Sequence, residues 1–73
     1  MEASEPTLTP MDLARYYMRR LAMRVQPEHF EELCRNTAYA IDPAHTAYRY
    51  AVQFGVTELP TPDEIWRRGK LPD

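Results

Sequence analysis

The placement of proline constrains the fold of this chain more than any other feature. Proline favours the first position of a helix because its missing N–H would have no hydrogen-bond partner there. Threonine and aspartate directly before it can accept hydrogen bonds from the first free N–H groups of the helix. Three of the seven prolines follow such a capping residue, in the pairs Thr9-Pro10, Asp42-Pro43 and Thr61-Pro62. A fourth pair, Gln26-Pro27, is a weaker version in which glutamine takes the capping position.

These pairs predict four helices, because each is followed by apolar residues at helical spacing. The two glycines, Gly55 and Gly69, directly follow the third and fourth segments, where helices commonly end. The β-like stretch 52–59 is interrupted by glycine and ended by proline, so we expect no sheet. The predicted fold is all-α, a compact bundle of three helices plus a short C-terminal fourth helix. The predicted helices span residues 10–25, 27–40, 43–54 and 62–68.

A chain of 73 residues allows one domain. We assign residues 9–69 to a single helical domain, with residues 1–8 as a flexible N-terminal segment and residues 70–73 as a C-terminal tail. A domain of this size buries only about 60% of its unfolded surface and is marginally stable alone. Because its single cysteine, Cys34, excludes an internal disulfide, we expect association with a partner, such as a second copy.

Several functional classes are disfavoured by composition and spacing. A net charge of −2 argues against a basic nucleic-acid module, and the apolar runs are too short for a membrane span. No signal peptide is visible at the N-terminus, and a lone thiol suits a reducing cytoplasm. His29, Cys34 and His45 lack metal-ligand spacing, Cys34 falls on an apolar stripe where its pKa is raised, and no phosphate loop exists. We therefore expect no metal, no cofactor and no catalysis.

Helical periodicity separates a core side from a solvent side in the first three helices. The fourth segment offers Ile65 and Trp66 as apolar residues. The expected core positions of the first three helices are Met11, Ala14, Tyr17, Met18, Leu21, Ala22, Val25, Phe30, Leu33, Cys34, Thr37, Ala38, Ile41, Ala44, Ala47, Tyr50, Ala51 and Phe54.

Three large apolar residues of the first helix fall instead on its arginine side: Leu13, Tyr16 and Met23. Aromatic residues, methionine and arginine on one exposed face are typical of protein interfaces. We therefore expect this side to bind a protein, unless another helix of the chain covers it, and the tryptophan of the fourth helix forms a second candidate anchor. The predicted partner-binding residues are Arg15, Tyr16, Arg19, Arg20, Met23, Trp66 and Arg67, with Arg68 beside the last.

Charge is segregated along the chain. Residues 12–24 hold four arginines and one aspartate, a net of +3, whereas residues 26–42 hold four acids and one arginine, a net of −3. Two interpretations stay open. The charges form solvated faces of neighbouring helices and contribute little, or the first helix of one chain meets the second helix of another in a two-fold dimer.

The sequence therefore favours a small non-catalytic intracellular protein that binds another protein and self-associates, as a homodimer or in a larger complex. It would act as an accessory subunit, an adaptor or an inhibitor of the kind encoded by phages and mobile elements. The alternative is a helix-turn-helix DNA-binding regulator formed by residues 27–40 and 43–54. Its acidic first helix opposes phosphate binding. Its candidate DNA-binding residues, on the exposed side of the second helix, are His45, Thr46, Arg49 and Gln53.

Overall fold

The computed structural model of the protein describes residues 8–72. Within this range the secondary structure is helical, without a strand, which confirms the all-α prediction. The expectation of a flexible segment at residues 1–8 concerns, apart from Leu8, residues outside the described range, and Asp73 also lies outside it. The elements are α1 (Pro10–Leu21), a 3-10 turn (Ala22–Arg24), α2 (Pro27–Ala38), α3 (Pro43–Gln53) and α4 (Pro62–Arg68).

The first and fourth helices begin with reciprocal caps. The Oγ1 atoms of Thr9 and Thr61 accept hydrogen bonds from the N–H groups of Asp12 and Glu64, each at 3.2 Å. Each carboxylate in turn accepts a hydrogen bond from the N–H of its capping threonine, at 2.9 Å in α1 and 2.8 Å in α4. Both helices thus have two of their otherwise free donors satisfied, which confirms the predicted starts.

The starts of α2 and α3 also fall at the predicted prolines. Asp42 caps α3, because its Oδ1 accepts a hydrogen bond from the His45 N–H at 3.2 Å. Gln26 gives α2 no side-chain cap, but as the residue before a proline it is extended, with ψ 151°. Val25 is extended as well, so the α-helical part of α1 ends at Leu21, before the predicted end at residue 25, and its last turn tightens into the 3-10 turn.

The end of α3 uses a glycine in the left-handed region. Gly55 has φ 91°, a backbone conformation that disfavours residues with a Cβ. Its N–H donates to the carbonyl of Val52 at 3.1 Å, and the N–H of Val56 donates to the carbonyl of Ala51 at 2.9 Å. These two bonds form a Schellman motif, which reverses the chain direction after α3.

The core lies mainly between α1 and α3, which make the most extensive contact in the fold. Three alanines of α3, Ala44, Ala47 and Ala51, are fully buried and allow close approach of the two helices. The α2 helix adds Leu33 and Thr37, whose hydroxyl donates to the carbonyl of Leu33 at 2.8 Å. The α1 residues buried on the other side are Leu13, Ala14, Tyr17, Met18 and Leu21.

Several predicted core assignments are wrong. Leu13 is fully buried and does not lie on the arginine side, because α1 is covered over a wider arc than one amphipathic stripe. Ile41 is completely exposed, since α2 ends at Ala38 and the stripe does not continue into the turn. Ala38 itself is exposed, as are Met11 and Ala22 at the two ends of α1. The prediction from helical periodicity therefore placed core positions too close to, or beyond, the ends of the helices.

Tyr17 joins the segment after α3 to the centre of α1. Its side chain is fully buried, and its hydroxyl donates to the Pro60 carbonyl at 2.5 Å. The rings of Tyr16 and Tyr48 approach it edge-on, with centroids at 5.1 Å and 5.2 Å. Burial raises the pKa of the Tyr17 phenol well above its usual range. The phenol therefore stays protonated and remains a hydrogen-bond donor.

Candidate protein-binding surface

A groove lies where the C-terminal end of α1 faces the segment that follows α3. It has a volume of about 510 Å³ and is open to solvent on one side. Three guanidinium groups, two apolar side chains and one hydroxyl line it, and no carboxylate is among its lining residues. We call it the arginine groove; it is formed by Arg19, Arg20, Met23, Arg24, Val56 and Thr57.

The two walls of the arginine groove have different local causes. One wall is the last turn of α1 and the 3-10 turn, where residues three or four apart share a side. The other wall exists because the left-handed Gly55 turns the chain back toward α1. A Cβ at Gly55 would lie 3.6 Å from Arg24 Nη1, so this guanidinium lies against the turn. The hydrogen bond from Tyr17 to Pro60 holds the far end of the same segment.

The structure brings together three of the partner-binding residues that the sequence predicts. Arg19, Arg20 and Met23 all line the arginine groove, and Met23 is 88% exposed. A large apolar side chain that is exposed beside arginines is typical of a protein interface. Sequence reasoning missed Arg24 as a site residue and missed the second wall at positions 56 and 57. The signal available for that wall was Gly55, which indicated a helix end but not the direction of the chain after it.

Tyr16 and Arg15 lie beside the groove without lining it. Tyr16 is half-buried against the core, and the Arg20 guanidinium carbon lies 5.8 Å from its ring centroid. This distance fits a cation–π contact, which orients Arg20. The exposed Arg15 has its Nη1 3.7 Å from the Asp12 carboxylate. Tyr16 is therefore partly covered by the fold itself, and its assignment as a partner-binding residue stays a prediction.

The second predicted anchor, on α4, is separate from the arginine groove. Ile65 fastens α4 to the core with no exposed surface, whereas Trp66 retains 39% exposure. Arg67 is exposed at the end of the same helix. Neither Trp66 nor Arg67 is among the lining residues of the groove.

The candidate DNA-binding residues are only partly assembled. A shallow depression of about 280 Å³ lies on α3, lined by Thr46, Arg49, Tyr50 and Gln53. His45 is not part of it. Its Nδ1 lies 2.7 Å from Asp42 Oδ2, and its Nε2 lies 3.9 Å from Asp63 Oδ1.

The His45 ring therefore lies between a carboxylate at the start of α3 and one at the start of α4. The hydrogen bond from the His45 backbone N–H, together with the bond from its ring, lowers the pKa of the Asp42 carboxyl. The single arginine of the depression, Arg49, is exposed. An α3 surface with one arginine supplies few contacts for phosphates.

An acidic surface follows the arginine groove in the chain. Glu28, Glu31 and Glu32 are exposed on α2, and their spacing of three and four residues places them on one side of the helix. We call these three residues the acidic face. The His29 ring packs edge-on against Phe54, with centroids 5.2 Å apart. Phe54 directly precedes the turn that forms the second groove wall, so the start of α2 packs against the end of α3 next to that turn.

Cys34, on the same helix, is half-buried. Burial raises its pKa, with a further contribution from the Glu31 carboxylate, so the thiolate form that reacts with electrophiles is disfavoured.

Within residues 8–72, no three His, Cys, Asp or Glu side chains are grouped closely enough to hold a metal ion. In the same part of the chain, no helix is long and apolar enough to cross a membrane. The chain matches no protein-family model, no curated protein and no solved structure at a significant level.

Proposed function

We propose that this chain is a small non-catalytic cytoplasmic protein that acts by binding another protein through the arginine groove. The observation that carries the proposal is the composition of the groove, which three arginines line together with the exposed Met23 and the half-buried Val56. Arginine is the cation best suited to bidentate contacts with carboxylates at interfaces. A partner segment that carries both acidic and apolar side chains would match this lining.

The exposed methionine distinguishes a protein partner from a small anion. Full burial of a methionine side chain contributes about 1.5–3 kcal/mol, and Met23 is 88% exposed in the free chain. A phosphate held by the arginines would leave that apolar surface in water. A protein segment laid across the groove would cover it and would also place carboxylates on the guanidinium groups.

The helix-turn-helix alternative has weaker support. The half-buried His45 is hydrogen-bonded to Asp42, and the first helix of the motif carries the acidic face, which would repel a phosphate backbone. Binding of generic duplex DNA at low salt in a gel shift would favour this alternative. An adaptor, an accessory subunit or an inhibitor of the phage-encoded kind all agree with a groove that binds protein. The disfavoured Cys34 thiolate agrees with a structural role of that residue in a reducing cytoplasm.

The experiment that tests the proposal is capture from a native lysate of the source cells with the tagged full chain, followed by mass spectrometry. Arg19→Glu reverses a charge inside the groove, and Arg49→Glu makes the same change on the exposed side of α3. We expect Arg19→Glu and Met23→Asp to lose the captured protein while Arg49→Glu retains it, with the helical circular dichroism of all three unchanged. Equal capture by Arg19→Glu and the unmodified chain would overturn the proposal.

A further inference from the structure

We propose that the arginine groove of one chain receives the acidic face of α2 from a second copy, so that two chains form a two-fold dimer. This inference rests on the proposed function in assigning the groove to protein binding, and it goes further in naming the partner segment. The segment carries Glu28, Glu31 and Glu32, and it belongs to every copy of the chain.

Charge complementarity is the first argument. The groove contributes three guanidinium groups, and the acidic face contributes three exposed carboxylates. Between residues 8 and 72, the close contacts between basic and acidic side chains join Arg15 to Asp12 and the His45 ring to Asp42 and Asp63. Within this described part of the chain, none of them involves the groove arginines or the acidic face.

The register of the charges is the second argument. Glu28 and Glu32 are four residues apart on α2, and Arg20 and Arg24 are four residues apart at the end of α1. At a rise of 1.5 Å per residue, four residues correspond to about 6 Å along a helix, and slightly more where a turn is 3-10. An α2 helix laid along the groove can therefore place a carboxylate near each of these two guanidinium groups at once.

The position of the two surfaces on the molecule is the third argument. A two-fold interface requires both complementary surfaces on the same side of each chain, because each chain gives and receives the same contact. The packing of His29 against Phe54, with ring centroids 5.2 Å apart, brings the start of α2 next to the turn that forms the groove wall. The start of α2 therefore lies close to the turn that forms the groove wall, and a single two-fold axis would pair the two surfaces twice.

The dimer also gives the exposed Met23 a partner. Its side chain lines the groove together with the arginines and is 88% exposed in the free chain. A docked α2 would cover the methionine with the aliphatic stems of its glutamates, since long charged side chains bury their methylene groups on apolar surfaces.

The test measures solution mass by light scattering and sedimentation for four forms of the full chain. These are the unmodified chain, an arginine reversal (Arg20→Glu with Arg24→Glu), an acid reversal (Glu28→Arg with Glu32→Arg) and a chain with all four substitutions. The fourth form has the net charge of the unmodified chain and pairs reversed arginines with reversed acids. Arg49→Glu is the matched control for a charge reversal outside both surfaces.

We expect the unmodified chain to dimerise with concentration and to dissociate as salt is raised, because salt screens exposed charge pairs. Each reversal acts at two symmetry-related sites and should raise the dimer dissociation constant about tenfold or more. The chain with all four substitutions should dimerise again, and Arg49→Glu should behave like the unmodified chain. The salt dependence is measured on the unmodified chain, so it still tests the proposal if one of the variants fails to fold.

If the unmodified chain stays monomeric up to about 100 μM, a concentration well above a micromolar dissociation constant, the dimer proposal is overturned. An acid reversal that dimerises like the unmodified chain would overturn it as well. If the dimer is overturned while Arg19→Glu still loses a captured protein, the proposed function stands and only the identity of the partner falls. If the dimer forms as expected while no captured protein depends on Arg19, binding of a foreign protein falls and the dimer stands.

Discussion

Replacing Tyr17 with phenylalanine removes the hydroxyl that connects the segment after α3 to α1. The hydroxyl donates to the Pro60 carbonyl, 43 residues further along the chain. Phenylalanine fills nearly the same space as the fully buried tyrosine, so the edge-on contacts with Tyr16 and Tyr48 remain. The substitution therefore isolates one hydrogen bond between two distant parts of the sequence.

The expected loss follows from that single bond. A hydrogen bond within a protein contributes about 0.5–1.5 kcal/mol net, and an acceptor left without a partner adds to the loss where it is buried. The Pro60 residue is half-buried, so water reaches its carbonyl in part, and we expect Tyr17→Phe to lower the free energy of unfolding by about 1–2 kcal/mol. For a domain of this size, each kcal/mol lowers Tm by about 4–8 °C.

Urea unfolding followed by circular dichroism at 222 nm measures this loss, with Tyr39→Phe as the matched control. Tyr39 is 85% exposed, so its hydroxyl exchanges freely with water and the control should stay within about 0.5 kcal/mol of the unmodified chain. If Tyr17→Phe is as stable as Tyr39→Phe, the hydroxyl does not hold the segment, and the reasoning is refuted.

Two further predictions concern helix ends. Gly55→Ala should lower the free energy of unfolding by about 1 kcal/mol because φ 91° disfavours a Cβ. Gly55→Asn should lower it less, since asparagine tolerates the left-handed backbone conformation. Equal losses for the two variants in urea unfolding would contradict this cause. Backbone hydrogen bonds at two helix starts lower the pKa values of the Asp42 and Glu64 carboxyls. The stability that these two carboxylates contribute is therefore present above pH about 4, and it is lost as the pH falls through the lowered pKa values. A chain with Asp42→Asn and Glu64→Gln keeps both caps without titrating, so its unfolding free energy should fall less between pH 6 and pH 3; an unchanged slope in acid titrations would contradict the assignment.

The helix starts could be predicted from sequence because their causes are local. Thr61 needs only a proline after it and Glu64 three residues later to form a reciprocal cap, and all of these positions are adjacent in the chain. The same holds for Asp42, whose carboxylate reaches the backbone of His45. The left-handed Gly55 is likewise a local property of the residue that follows a helix.

Only one of the two walls of the arginine groove could be predicted from sequence, because the second wall depends on contacts between residues that are distant in the chain. The spacing of Arg19, Arg20 and Met23 places them together on α1 from sequence alone. Nothing in that spacing indicates that Val56 lies opposite them, because its position is set by the turn at Gly55 and by packing against α1. Leu13 was misplaced for a related reason, since the arc of α1 that becomes buried depends on how many helices cover it.

The same contacts connect the stability of the fold to the proposed binding. The segment that carries Val56 is held at one end by the helix stop at Gly55 and near the other by the bond from Tyr17 to Pro60. If that bond is lost, the segment gains conformations in which the groove is not formed, and ordering it again on binding costs free energy. Tyr17→Phe should therefore weaken dimerisation although Tyr17 does not line the groove, whereas Tyr39→Phe should leave it unchanged. A groove formed by α1 alone would not couple folding to binding in this way.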